Sequence, residues 1–412
     1  MGVPGLAVTV DPAGTAVLLA FVGSGIVLGT LSGLTPGLHA NNFALLLAGI
    51  APAVPAPPRL LGAAMLAAGV VHTFLDVVPA LALGVPDAAM AASALPGHRL
   101  VLAGRGREAL RLSALGSGLA VALAIPLAVP VTAAMARLYP ALEGNLAVVL
   151  TVVACLLVVT EPDPLRQAGA AISLVGSGLL GLAALDLETA SLLGTGSTLT
   201  PLFAGLFGAP VLLEALGGDG VPPQADAAVT TSGRFVGVVA LVGTLSGAVV
   251  GFVPGVSSAI AAAGALVVIP DRGPRAFLVA TSGVNTANTV FALFALLALG
   301  TPRTGVLVAI DGAGVPLNLP VLLGSVALAA AAGFGLVLSL GDRYLAAVGA
   351  VNHARLVGAV LVVLLGLSVA FAGPVGVVVL VVATLVGLVP GRFGSRRAAL
   401  MGVLLVPLAL GP

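Results

Sequence analysis

The sequence predicts an all-α integral membrane protein made of two homologous halves, each carrying a Pro-Gly re-entrant hairpin. Three observations predict it. Of 412 residues, 59% are hydrophobic and only 8% charged, whereas soluble globular chains carry about 25% charged residues. Apolar stretches close to the ~20 residues that cross a bilayer recur along the whole chain. A set of glycine and proline landmarks returns, in the same order, half a chain later. The charge balance adds exclusions. Sixteen basic residues, all arginine, stand against fifteen acidic ones, which leaves no basic face for nucleic acid. The single cysteine, Cys155, excludes an intrachain disulfide framework and a cysteine-rich metal site. The 56 glycines and 29 prolines imply many broken helices. In a membrane these persist only where protein or a water-filled path satisfies the freed backbone groups.

Taken in order, the N-terminus lacks a basic n-region, and Asp11 precedes the first apolar run. Residues 15–34 therefore read as a membrane helix and not a cleaved signal. Full spans are expected near 15–34, 60–85, 112–136, 142–160, 167–185, 233–253, 276–300, 317–340, 355–373 and 375–390. Shorter apolar stretches follow prolines at 36–51, 201–216 and 254–270, with a last one at 398–411. Their length suits re-entrant hairpins or partial spans. The arginine-rich stretch His98–Arg111 and the cluster Arg392, Arg396 and Arg397 belong on the cytoplasmic side by the positive-inside rule. The expected location is a multi-pass position in the cytoplasmic membrane.

The repeat sets the organisation. Gly29-Thr30-Leu31-Ser32-Gly33 returns as Gly243-Thr244-Leu245-Ser246-Gly247, an offset of 214 residues. A Gly-x-x-Pro-Gly turn follows each copy, with Pro36-Gly37 and Pro254-Gly255 at an offset of 218. Gly69 matches Gly283, offset 214, and Gly84 matches Gly300, offset 216. Residues 1–217 and 230–412 are thus read as two transmembrane repeats. Inverted repeats suit paired re-entrant hairpins better than parallel ones.

Duplicated halves with interrupted apolar segments mark secondary transporters, because breaks put helix ends near the midplane. Helix N-termini there hold anions through free N–H groups and the helix dipole. Thr35, His39, Asn41 and Asn42 flank the first break, and Ser257 and Ser258 follow the second. These residues, with Pro36, Gly37, Pro254 and Gly255, form the candidate anion site; Ser, Asn and Thr also cap helices without binding anything. A second polar group lies in the spans that follow. His72, Thr73 and Asp76 share one helical face, and Thr281, Ser282, Asn285, Thr286, Asn288 and Thr289 crowd the counterpart. Asn285 and Asn288 join the candidate substrate residues. Asp76 is the one carboxylate well inside a long apolar run. Such groups face a partner or an aqueous path, so Asp76, with His72 one turn earlier, is the candidate ion-coupling pair. The expected coupling ion is Na+ or H+.

Enzyme motifs are absent. There is no His-Glu-x-x-His, no Gly-x-Ser-x-Gly and, without lysine, no Walker loop. No cofactor and no metal site are expected.

The two Gly-x-x-Pro-Gly hairpins, the run Leu95-Pro96-Gly97-His98-Arg99-Leu100 followed by Gly104-Arg105-Gly106-Arg107-Glu108, and Leu199-Thr200-Pro201-Leu202-Phe203-Ala204-Gly205-Leu206-Phe207-Gly208 resemble the large membrane subunit of tripartite tricarboxylate transporters, the TctA family. Val71-His72-Thr73-Phe74-Leu75-Asp76 departs from the family's Gly/Ser-rich pattern there and marks a divergent branch. The resemblance implies an ion-driven permease for carboxylate-like anions with Thr35, Pro36, Gly37, Asn41, Asn42, Pro254, Gly255, Ser257 and Ser258 at the substrate. It also implies an extracytoplasmic binding protein and a small membrane subunit as partners; a homodimer is a further candidate assembly. Translocation of a phosphorylated isoprenoid lipid carrier remains the alternative, since the same hairpins suit a phosphate.

Overall fold

The computed structural model describes residues 11–84, 94–193, 196–217, 220–225, 228–253, 256–269 and 273–411. Pro254 and Gly255 lie outside the described residues. Every regular element among the described residues is helical. Among the described residues, eight helices are long and apolar enough to cross a membrane. Their outer faces expose Val129, Leu179, Val362 and Leu385, a surface suited to lipid and not to water.

The first half begins with α1 (Pro12–Leu34), started by the Asp11 side chain, which caps it at Gly14. The short α2 (Ala40–Ile50) follows, capped by the His39 ring. Next come α3 (Pro58–Leu75) and α4 (Val77–Leu83), which continue one another across a break at Asp76. Pro79 has no N–H to offer the carbonyl of Leu75, so the ladder is interrupted where the carboxylate sits. The helix ends at Gly84 in the left-handed conformation (φ 69°), which glycine adopts without penalty. Then follow α5 (Ala94–Leu102), α6 (Gly106–Gly144), α7 (Leu146–Val159) and α8 (Pro164–Ala184). The half closes with α9 (Leu199–Phe203), a π-helical turn at Ala204–Gly208 and α10 (Ala209–Ala215).

The second half repeats the opening lengths. After α11 (Gly233–Phe252) comes α12 (Ser258–Val268), with the same 11 residues as α2 and 218 positions after it. Next is α13 (Pro274–Leu299), whose 26 residues match those of Pro58–Leu83 216 positions earlier. It also ends on a left-handed glycine, Gly300. The remaining elements are α14 (Gly305–Gly312), α15 (Leu319–Ala350), α16 (His353–Gly387), α17 (Val389–Phe393), a 3-10 turn at Arg397–Met401 and α18 (Gly402–Leu410).

Two differences from the sequence expectation have clear causes. The stretch 142–160 forms only the 14 residues of α7, too short to cross. The predicted spans 355–373 and 375–390 form one element, α16, bent at Gly373 (φ 60°, ψ −148°) ahead of Pro374. The carbonyls freed at this bend are met from elsewhere: Leu192 N–H donates to Ala370 O and Ser197 N–H to Phe371 O.

Close packing at glycines fixes helix direction. Gly25, Gly29 and Gly33 of α1 lie against Ala64, Ala68 and His72 of α3, so the two helices run parallel. Gly243, Gly247 and Gly251 of α11 lie against Ala280, Val284 and Phe291 of α13, again parallel. Such small-residue stripes let membrane helices approach. The packing pairs Gly25 with Gly243, offset 218, which leaves the Gly-Thr-Leu-Ser-Gly identity one helical turn out of register. The helix ends likewise put α3 and α13 at an offset of 216, where the Gly69/Gly283 match had 214. Ser113 meets Ser282 and Ser117 meets Thr286, so α6 runs with α13. Gly341 lies by Leu110 and Gly118 by Phe334, so α15 runs against α6. Val315, in the approach to α15, lies by Gly62, and Gly333 of α15 lies by Phe74, so α15 runs with α3. The helices α3 and α13 therefore point in opposite directions.

Many of the arginines gather at the end where α6 and α13 begin, whereas Arg137 and Arg303 lie towards the other end of α6. Glu108 pairs with Arg105 at 2.5 Å and Arg275 at 2.8 Å. Arg397 pairs with Glu214 at 2.6 Å, next to Ala215, whose carbonyl accepts from His353. Arg396 pairs with Glu161 at 3.1 Å. The apolar interior divides into two cores. One is built mainly on α1 to α6, α11 and α13 to α15, and takes in Ala209 and Leu212 of α10; the other is built on α7 to α9, the π-helical turn, α12, the second part of α16, the 3-10 turn and α18.

Candidate functional site

A cavity of about 260 Å³ opens between the two cores. Three helices begin at its wall: α2 with His39, Ala40 and Asn41, α12 with Ser257 and Ser258, and α14 with Thr304 and Gly305. A helix start presents N–H groups and the positive end of the dipole. Here the starts are braced by side chains. His39 Nδ1 accepts from Asn41 N–H at 3.0 Å, and Ser257 Oγ accepts from Ile260 N–H at 3.3 Å. Asn41 Oδ1 accepts from Gly305 N–H at 3.0 Å, which joins α2 to α14 across 264 positions. A Cβ on Gly305 would sit 2.7 Å from the Asn41 Cα, so only glycine permits this junction. The His39 ring leans on Phe203, with centroids 4.9 Å apart, just before the π-helical turn; such turns often accompany functional sites.

The polar wall continues along α13 with Asn285, Asn288 and Thr289, and on α3 with Thr73. Arg303, at the approach to α14, brings a guanidinium to the wall. Its Nη2 donates to Tyr139 Oη, and its guanidinium lies over the Tyr139 ring at 5.1 Å. Arg303 Nε, Thr304 Oγ1 and Asn288 Oδ1 are buried with no hydrogen-bond partner among the described residues. Buried polar atoms are normally satisfied, and these three border a cavity.

Behind this wall, buried hydroxyls, amides and a carboxylate join the helices. Asn285 Nδ2 donates to Asp76 Oδ2 at 2.7 Å. Thr73 Oγ1 donates to Thr286 Oγ1 at 3.3 Å, and Thr286 Oγ1 to Ser117 Oγ at 2.8 Å. His72 Nδ1 meets Ser32 Oγ at 2.9 Å while its ring stacks on Phe43. Each polar side chain costs free energy in a membrane interior unless it has a partner, and these have found one across a helix boundary.

The structure thus brings His39, Asn41, Ser257, Ser258, Asn285 and Asn288 to one cavity, with Asp76 one hydrogen bond behind it through Asn285. Thr35, Pro36, Gly37 and Asn42 do not line it. The Thr35 hydroxyl donates to Leu31 O at the end of α1, and Asn42 Oδ1 accepts from Ser197 at 3.4 Å. His72 lies one turn from Asp76 on the Ser32 side. Arg303, Thr304 and Phe203 were missed. The signal for Arg303 was an isolated arginine directly after the Gly300-Thr301-Pro302 landmark, far from both basic clusters. Among the described residues, no cluster of three His, Cys, Asp or Glu side chains is placed to hold a metal ion.

Comparison with known proteins agrees with a membrane-transport architecture. The model of the Tripartite tricarboxylate transporter TctA family matches residues 19–402. An uncharacterized protein of Methanocaldococcus jannaschii is 26% identical over 394 residues, covering 94% of this chain and 96% of that protein. No solved structure matches.

Proposed function

Since the chain belongs to the tripartite tricarboxylate transporter TctA family, a family of multi-pass membrane transporters, we propose that it is an ion-gradient-coupled permease that holds a small carboxylate in the cavity between α2 and α12. The observation that carries this reading is the convergence of three helix starts and Arg303 on one cavity. Helix dipoles and a guanidinium together favour an anion. The large family subunit works with a binding protein and a small membrane subunit, and these are the expected partners.

The two-repeat organisation is part of the proposal. It is supported by the equal lengths of α2 and α12, the equal lengths of Pro58–Leu83 and Pro274–Leu299, and the opposite directions of α3 and α13. Inverted halves place both hairpins at the midplane, where α2 and α12 act as re-entrant helices. Asp76 is the coupling group. Its link to Asn285 ties protonation or Na+ binding to the polar wall of the cavity. The arginine-rich end is cytoplasmic by the positive-inside rule.

The test is uptake in proteoliposomes. Asn41→Ala unlinks α2 from α14, and Ser257→Ala uncaps α12. Both are expected to abolish carboxylate uptake while the protein remains monodisperse and cooperatively folded. Wild-type uptake by both variants would remove the hairpin site.

A further inference from the structure

We infer that the cavity takes a monocarboxylate with an apolar body, such as an aromatic or branched aliphatic acid, and not a tricarboxylate. The inference rests on the carboxylate-permease reading above and narrows it.

The lining has two characters. Polar groups come from α2, α3, α12, α13 and the approach to α14. The remainder comes largely from the second core and the end of α11: Leu199, Phe203, Val250, Met401, Leu404 and Leu408. An apolar ligand body gains by covering such side chains. A ligand with a carboxylate at every end gains nothing from them and loses hydration there.

The charge count points the same way. Among the described residues Arg303 is the one arginine in the lining, and the chain has no lysine. One amide at each helix start already has an acceptor: Asn41 N–H has His39 Nδ1, Gly305 N–H has Asn41 Oδ1, and Ile260 N–H has Ser257 Oγ. A tricarboxylate would set three charges against one guanidinium. Two of them would be desolvated without a cationic partner, which a low-dielectric site opposes strongly. One carboxylate, by contrast, completes what is open. Arg303 Nε and the Thr304 hydroxyl are both buried and unpartnered, and both can donate to it. Arg303 Nη2 is meanwhile held on Tyr139, so only part of the guanidinium remains for the ligand. The volume of about 260 Å³ sits just under the ~300–1,000 Å³ of usual small-molecule pockets and suits one ring or a short branched chain.

The experiment is a thermal-stability titration of the purified full-length protein with benzoate, 4-methylpentanoate and citrate at constant ionic strength. A ligand of the folded state raises the midpoint by mass action. Benzoate or 4-methylpentanoate is expected to raise it, and citrate at equal concentration is not. Phe203→Ala is expected to raise the half-saturating concentration of the apolar acids about tenfold, and Arg303→Gln to abolish the shift. Citrate stabilising as well as or better than the apolar acids would overturn the inference and leave the carboxylate-permease reading standing. An Arg303→Gln protein that saturates like wild type would also overturn it. If none of the three acids shifts the midpoint, the carboxylate reading itself fails and takes this inference with it. Should the variants fail to fold, the rank order on wild-type protein decides.

Discussion

The side-chain amide of Asn285 donates to the Asp76 carboxylate at 2.7 Å, linking the middle of α13 to the break between α3 and α4. Asn285 also lines the cavity. One side chain thus touches the cavity and the buried acid.

Asp76→Asn follows from this contact. The variant keeps the shape and an acceptor for Asn285 but cannot bind a proton or offer Na+ a charge. Substrate exchange across proteoliposomes should persist, while accumulation against a gradient driven by ΔpH or Na+ is lost. Accumulation at the wild-type level would exclude Asp76 as the coupling group.

Tyr139 orients Arg303 from α6 by a hydrogen bond and a cation–π contact. Tyr139→Phe keeps the ring and should raise the uptake KM only a few-fold. Tyr139→Ala loses both contacts. With ~1–2 kcal/mol for a partly desolvated cation–π pair and about 1.4 kcal/mol per tenfold, its KM should rise roughly tenfold at nearly constant maximal rate. Concentration-dependent uptake by the two variants checks the difference.

The helical membrane architecture was legible because composition and span length are blunt physical constraints. Asp76 and Asn285 were legible as polar groups in apolar runs; that they bond each other was not, since their separation of 209 positions is closed only by the crossing of α3 and α13. Arg303 escaped notice because it lies between spans, where an arginine ordinarily marks topology. Its place beside Gly69 and Thr73 depends on the chain turning back after Gly300, which no local pattern reports. The Gly-Thr-Leu-Ser-Gly identity and the glycine packing stripes stand one turn apart because packing reads every fourth position, where smallness matters, and is indifferent to the letters between.

That packing makes its own prediction. At Gly29 a Cβ would run into the Ala68 carbonyl and lie 2.9 Å from Val71 Cβ, whereas at Gly23 of the same helix nothing lies within 4 Å. Gly29→Leu must push α1 from α3. Overpacking costs ~1–3 kcal/mol or more, so the variant should show a clearly lowered unfolding midpoint in detergent. Gly23→Leu should match wild type. Equal midpoints for both would mean that α1 and α3 are not in close contact.

His98 provides a pH test at the arginine-rich end, outside the long spans. Burial lowers its pKa from the ordinary 6.5, against the Nδ1–H bond to Leu81 O at 2.7 Å, and the charge of His353 pushes the same way. The neutral ring is therefore the one that fits the fold. Its contribution is fully present above the unfolded value near 6.5 and is lost as pH falls from there towards the lowered folded value, because the unfolded chain then binds more protons. The unfolding midpoint should drop on acidification below pH ~6.5. His98→Gln keeps a donor for Leu81 and removes the titration, so its midpoint should fall less over the same range. Parallel curves for the two proteins would show that another group carries the acid sensitivity.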